Sequence, residues 1–184
     1  MNFLFWQNII SPHQTPFLRA LAENGHEVTV IASEVMTADR LALGWHTPDL
    51  GRAKIIIDPD KNGVRQIVSG SPVEAVHVLA GARWTPLGQQ ATESCLSLRR
   101  NMGVLSESPD PRGLGGLARH LKYTAERFTK GGHYDFVLAM GENGVRWFRQ
   151  SGYPSARRGR SKRPPRPLSR TASSPTTPVS PGSR

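Results

Sequence analysis

The sequence predicts an α/β protein built on a doubly wound parallel sheet of the Rossmann-like kind, followed by a disordered basic C-terminal tail. Three observations predict it. Short apolar runs alternate with helical patterns as far as Gly152, the runs are apolar on both faces, and composition changes abruptly at Ser155. Strands that are apolar on both sides need helices on both sides, and right-handed crossovers between parallel strands then give a doubly wound sheet. Residues 1–154 form the predicted domain and 155–184 the tail.

Phe3–Ile10 reads as the first strand. It lacks a basic leader and is interrupted by Gln7 and Asn8, so it is a buried strand and not a signal peptide. Thr15-Pro16 supplies a cap followed by proline, Phe17, Leu18 and Leu21 face inward, and Asn24-Gly25 closes the helix. His26–Ser33 is a β-branched strand, Thr37–Trp45 a short helix and Lys54–Asp58 a strand. Residues 62–72 show no clear period. Ala75–Gly81 is a strand, and Thr85-Pro86 repeats the cap-and-proline device before a helix with Leu87, Ala91, Cys95 and Leu98 on one face. Gly103–Glu107 is a strand. Leu114–Lys130 is the clearest helix, with Leu114, Leu117, Ala118, Leu121, Ala125 and Phe128 as its inward face and Gly131-Gly132 as its stop. Asp135–Met140 is the last strand, and Asn143 caps a helix from Val145 to Gln150.

The formal net charge of +10 would ordinarily point to nucleic acid or an anionic surface. Eight of the 24 basic residues lie in 155–184, which has no acid, leaving 16 against 14 in residues 1–154, or about +2. The basicity belongs to the tail. That tail is rich in Arg, Pro, Ser and Thr, with Leu168 and Val179 its only sizeable apolar residues, so it cannot bury enough surface to order itself. It reads either as a basic binding tail or as the translated product of a frameshift. A single cysteine, Cys95, permits no internal disulfide and suits a reducing, cytoplasmic setting.

Ligands of open α/β sheets bind beyond the carboxyl ends of the strands. Four such ends carry polar or glycine-rich loops: Ser11–Gln14, Gly81–Trp84, Ser106–Pro109 and Gly141–Gly144. The candidate binding residues there are His13, Gln14, Arg83, Trp84, Glu107, Gly141, Glu142 and Asn143. His13 serves as a base or hydroxyl partner, or simply packs beside Pro12. Glu107, ending a buried strand, is expected to be desolvated, or else to complement a helix N-terminus. Asp58-Pro59-Asp60 reads as a turn rather than a metal site, His and Cys are too scattered for zinc, and Cys95 reads as a buried inert thiol. No GxGxxG follows the first strand, which disfavours a dinucleotide-dependent reductase or epimerase.

The opening FLFWQNIISPHQTPFLRALAENGHEVTVI resembles the first βαβ unit of bacterial family-four-type glycosyltransferases, retaining enzymes of GT-B fold that build surface polysaccharides. VHVLAGARWTPL, VLSESPDPRG and YDFVLAMGENGVRWFRQSGYP resemble later parts of the same N-terminal domain. The resemblance implies the acceptor-side half of such an enzyme, with a saccharide or lipid-linked acceptor and peripheral contact with the inner membrane as partners. The nucleotide-sugar donor would belong to a second domain, so that no cofactor and no catalytic residue are expected in this chain. His13 and Gln14 would then line the cleft, and Glu107 with Gly141–Asn143 the acceptor pocket. A Rossmann-like binding domain whose basic tail engages nucleic acid or an anionic membrane is the alternative.

Overall fold

The computed structural model describes residues 1–80, 85–107, 112–129 and 133–153, apart from the side chains of residues 126, 127 and 129. Arg83, Trp84, the Ser108-Pro109 part of one predicted loop, the Gly131-Gly132 stop and the tail lie outside the described residues.

Twelve elements alternate: β1 (Asn2–Gln7), α1 (Thr15–Glu23), β2 (Glu27–Ala32), α2 (Ala38–Ala42), β3 (Lys54–Ile57), α3 (Lys61–Gly70), β4 (Val76–Ala80), α4 (Pro86–Ser97), β5 (Asn101–Ser106), α5 (Gly113–Thr129), β6 (Phe136–Ala139) and α6 (Gly141–Gln150). All six strands are parallel, in the order β3-β2-β1-β4-β5-β6. The chain winds outward in one direction through β3, crosses back, and winds outward in the other from β4. This is the doubly wound sheet the alternating pattern predicts, and its topological switch point lies between β1 and β4.

The alternation of side chains along each strand divides the core between the two faces. Phe5, Val28, Val30, Ala32 and Val78 meet Leu18 and Ala22 of α1 on one side. Trp6, Ile31, Leu79, Met102 and Val104 meet Val64 and Val68 of α3 and Ala91 and Cys95 of α4 on the other, where Tyr123, Trp147 and Phe148 also pack.

Helix ends follow local chemistry. Pro86 stands in the first turn of α4, and the Thr85 hydroxyl accepts from the Gly88 amide at 3.0 Å. Asn24 ends α1, and Gly25 adopts φ +81°, a conformation that favours glycine. At the other end of α1 the cap is Gln14 and not Thr15, whose hydroxyl instead donates to the Ser11 carbonyl at 3.0 Å.

Three expectations need correction. The uncertain stretch 62–72 is helix α3 as far as Gly70: glycine and serine weaken its propensity, but Asp60 accepts from the Gly63 amide and Val64 and Val68 are fully buried. The inward face predicted for α5 points outward, with Leu114, Leu117, Leu121 and Phe128 exposed by 87, 56, 62 and 83%. The helix is held instead through Gly116, His120 and Tyr123. Finally, α6 begins at Gly141 behind Met140, so Asn143 sits inside the first turn and does not cap it. No helix among the described residues is long and apolar enough to cross a membrane.

Candidate functional site

The carboxyl edge of the sheet is built from the ends of β1, β2 and β3 on one side of the switch point. Beyond the sheet, Ser33 and Glu34 continue the pairing by donating to the Gln7 and Asn8 carbonyls at 3.2 and 3.0 Å, and the Ile10 amide donates to Val35 at 3.1 Å. These bonds hold the β1–α1 loop against the β2 loop.

Gln7, the last residue of β1, is 3% exposed. Its side-chain amide donates to Oε1 of Gln14 at 2.6 Å, tying the end of the strand to the cap of α1. The carboxamide Oε1 of Gln7 is buried, and among the described residues nothing donates a hydrogen bond to it. Burying an unpartnered polar atom costs on the order of 1–3 kcal/mol, so native folds place such atoms where something else satisfies them. In the sequence Gln7 reads only as an interruption in an apolar run. The signal was there: a carboxamide ending the first strand of a doubly wound sheet faces the edge where ligands bind.

The first turn of α1 is poorly suited to phosphate. The Gln14 and Thr15 amides both donate to Ser11, and Pro16 has no N–H. The free backbone donors that make a helix N-terminus an anion site are thereby largely used up.

Of the sequence-predicted residues, Gln14 meets Gln7. His13 is exposed and stands edge-on to Trp45 at 5.6 Å, with the Arg40 guanidinium 4.7 Å from the same ring. Glu107 is exposed, against the desolvation expected of it, because β5 ends at Ser106 and the next residue has left the sheet. Gly141, Glu142 and Asn143 are exposed at the start of α6. The Met140 amide donates to the Ser106 carbonyl at 3.0 Å, so Glu107 and Gly141 are edge neighbours. Among the described residues no hydrogen bond or ion pair joins this pair of loops to His13 and Gln14.

A second polar cluster lies inside the core. The Trp6 indole donates to His77 Nδ1 at 3.2 Å, which leaves Nε2 protonated and donating to Ser71 Oγ at 3.2 Å; that hydroxyl donates in turn to the Val68 carbonyl at 2.8 Å. In this Trp6–His77–Ser71 series each side-chain polar atom has a partner, with the imidazole neutral. Burial, with the Arg100 charge adding to it, lowers the His77 pKa to about 4. Burial also pushes the Cys95 thiol up to about 12, leaving it an inert packing group on α4. Among the described residues no three His, Cys, Asp or Glu side chains gather as metal ligands. A shallow cavity of about 280 Å³ opens at the opposite, amino edge, between Asn2–Leu4 and the end of α3, where no cluster of titratable groups converges.

No family model matches the chain, and no curated protein matches it. Among solved structures it is similar to the phenylacrylic acid decarboxylase from Aquifex aeolicus, at 13% identity and a TM-score of 0.47, over 77% of this chain and 82% of that one. The glycosyltransferase reading does not stand. Neither the family models nor the curated proteins supply a glycosyltransferase, a polysaccharide pathway or a tail that binds nucleic acid or membrane, and the solved structure named above is not described as a glycosyltransferase. The physical reason is that the segments behind the resemblance stand where strands end: Ser11–Gln14 follows β1, Ser106 closes β5, and Gly141 opens α6 directly after β6. Any doubly wound sheet has polar loops there, and fold does not imply function. A likeness at 13% identity speaks to fold alone.

Proposed function

We propose that this chain is a small-molecule-binding α/β domain whose ligand sits at the switch point, against the β1–α1 loop. The observation that carries this reading is the buried, unpartnered Oε1 of Gln7 at the carboxyl end of β1. A ligand presenting an N–H or O–H donor satisfies that oxygen, while Gln14 holds the other end of the carboxamide and sets its orientation. His13, with the Trp45 ring behind it, forms the exposed rim. The spent amides of α1 favour a neutral polar group over a pyrophosphate at this point. A reducing, cytoplasmic setting suits the reading, since the lone thiol is buried.

The test is a thermal-shift panel of nucleosides, primary amides and hydroxylated carboxylic acids, with inorganic pyrophosphate as the contrasting probe. Compounds with a donor edge should raise Tm in the unmodified chain and lose that effect in Gln7→Leu. Equal shifts in both proteins, or a pyrophosphate response that survives Gln7→Leu, would sink the proposal. So would a panel without binders together with a Gln7→Leu variant more stable than its parent, because Oε1 would then be an uncompensated cost.

A further inference from the structure

Helix α5 carries an apolar stripe that the fold does not use. Leu114, Leu117, Leu121 and Phe128 are exposed, with Ala118 and Ala125 on the same side, whereas the buried side of the helix runs through Gly116 and Tyr123. At 100° per residue the two faces lie well over 100° apart, so the stripe cannot be closed by settling α5 more deeply onto the sheet. Together the four large side chains expose on the order of 500 Å² of apolar surface, at the upper end of what a monomeric protein leaves in one patch.

The stripe is symmetric about Leu121. Leu114 and Phe128 lie seven residues to either side, Leu117 and Ala125 four, and Ala118 and Thr124 three. Two such helices packed antiparallel about a two-fold axis through Leu121 bring Leu114 of one against Phe128 of the other. The same operation sets Leu117 over Ala125, a large side chain over a small one, at both related positions. An isologous contact needs this self-complementarity. Two copies would bury roughly 1,000 Å² of stripe surface, near the lower bound for a specific association. Antiparallel packing also places each helix N-terminus beside the partner's C-terminus, which the helix dipoles favour.

The charges beside the stripe argue against a lipid surface. An interfacial helix flanks its apolar face with Lys and Arg. Here the described flanking residues are Gly113, Gly115 and Thr124, with Lys122 as the cation nearest the stripe. Small neighbours let a second helix approach closely instead.

We infer that α5 is a self-association surface, pairing antiparallel with α5 of a second copy of this chain in a weak two-fold dimer. Sedimentation of the full chain from 1 to 200 µM should show a monomer–dimer equilibrium. Leu121→Glu, exposed in the monomer, should raise the dissociation constant at least a hundredfold while its far-UV circular dichroism and Tm in dilute solution stay unchanged. Cysteine pairs read the geometry, since the buried Cys95 does not compete. Leu121→Cys should cross-link to itself. Leu114→Cys and Phe128→Cys should each fail alone and cross-link when mixed, being about 21 Å apart along the helix. A chain monomeric at every concentration would overturn the proposal. Leu114→Cys cross-linking to itself would overturn the antiparallel pairing, and so would an α5 that binds anionic vesicles, sensitive to Leu121→Glu, without any dimer. A dimer untouched by Leu121→Glu would place the interface elsewhere.

Discussion

Helices α4 and α5 lie over the same face of the sheet, one strand apart, and use their apolar residues in opposite ways. In α4 the side chains at Leu87, Ala91 and Cys95 are 6, 0 and 0% exposed, sealed by α3 and the central strands. In α5 the longer apolar series faces solvent, and the opposite side meets the body of the domain, where Tyr123 and His120 stand edge-on to Trp147 at 5.7 and 5.3 Å and Tyr123 to Phe148 at 5.8 Å. The difference teaches that an amphipathic period announces an apolar face without saying what covers it. Helix α4 is surrounded, because β4 and β5 beneath it are inner strands. Helix α5 leads to the edge strand β6, and among the described residues only α6 follows, packing against the inner side of α5 through Trp147 and Phe148.

Matched truncations break this comparison most directly. Leu87→Ala in α4 should cost about 2–5 kcal/mol in urea unfolding, by lost transfer energy and the cavity left behind. Leu114→Ala in α5 should stay within about 0.5 kcal/mol in dilute solution. Similar costs for the two would mean that α5 is packed in solution after all.

Acidification probes the central region through His77. His77 titrates near 6.5 when unfolded and near 4 when folded, so the folded protein holds it neutral. Its contribution is complete above pH 6.5 and is lost as pH falls through 6.5 towards 4, because only the unfolded chain then gains the proton. At 1.36 kcal/mol per unit the loss approaches about 3 kcal/mol. Urea midpoints at pH 7.5, 5.5 and 4.2 should follow that slope, and in His77→Leu the part due to this residue should vanish. An unaltered slope would exclude His77 as its source.

Smaller effects sharpen the contrast. Removing the Thr85 cap by Thr85→Ala should destabilise the protein by about 1 kcal/mol, by leaving the Gly88 amide without its partner. A double-mutant cycle of Tyr123→Leu with Trp147→Leu should give a coupling of about 0.5–1.5 kcal/mol, since this pair is a principal anchor of α5. Hydrogen exchange should then open α5 before α4, and faster still in Tyr123→Leu. Simultaneous exchange of the two helices would argue that they belong to one cooperative unit.

Much of the fold was legible in residue order. Each expected strand is present, within a few residues of its predicted ends, because runs such as residues 27–32 and 76–80 are apolar on both faces and have no other stable environment than an inner parallel strand. Helix α3 was not legible, since its stability comes from burying Val64 and Val68 against the sheet and from Asp60, not from propensity. The site was legible only as an edge. Within the proposed site, Gln14 is readable from the sequence as a candidate, but its partner Gln7 is not, because an unpaired carboxamide oxygen is a property of a packed neighbourhood. Glu107 fails for the same reason: whether a strand-end carboxylate is buried depends on what packs over it.

By itself the sequence determined the alternation of elements, the caps at Thr85 and Asn24-Gly25, the buried inert cysteine and the concentration of positive charge after residue 154. These follow from local chemistry and short-range periodicity, which act within a few turns of chain. Only the tertiary structure decided the strand order and hence the switch point, the Trp6–His77–Ser71 chain, the orphan oxygen of Gln7 and the outward turn of the α5 stripe. Each depends on residues distant in sequence being brought together or kept apart, and no local pattern encodes that distance.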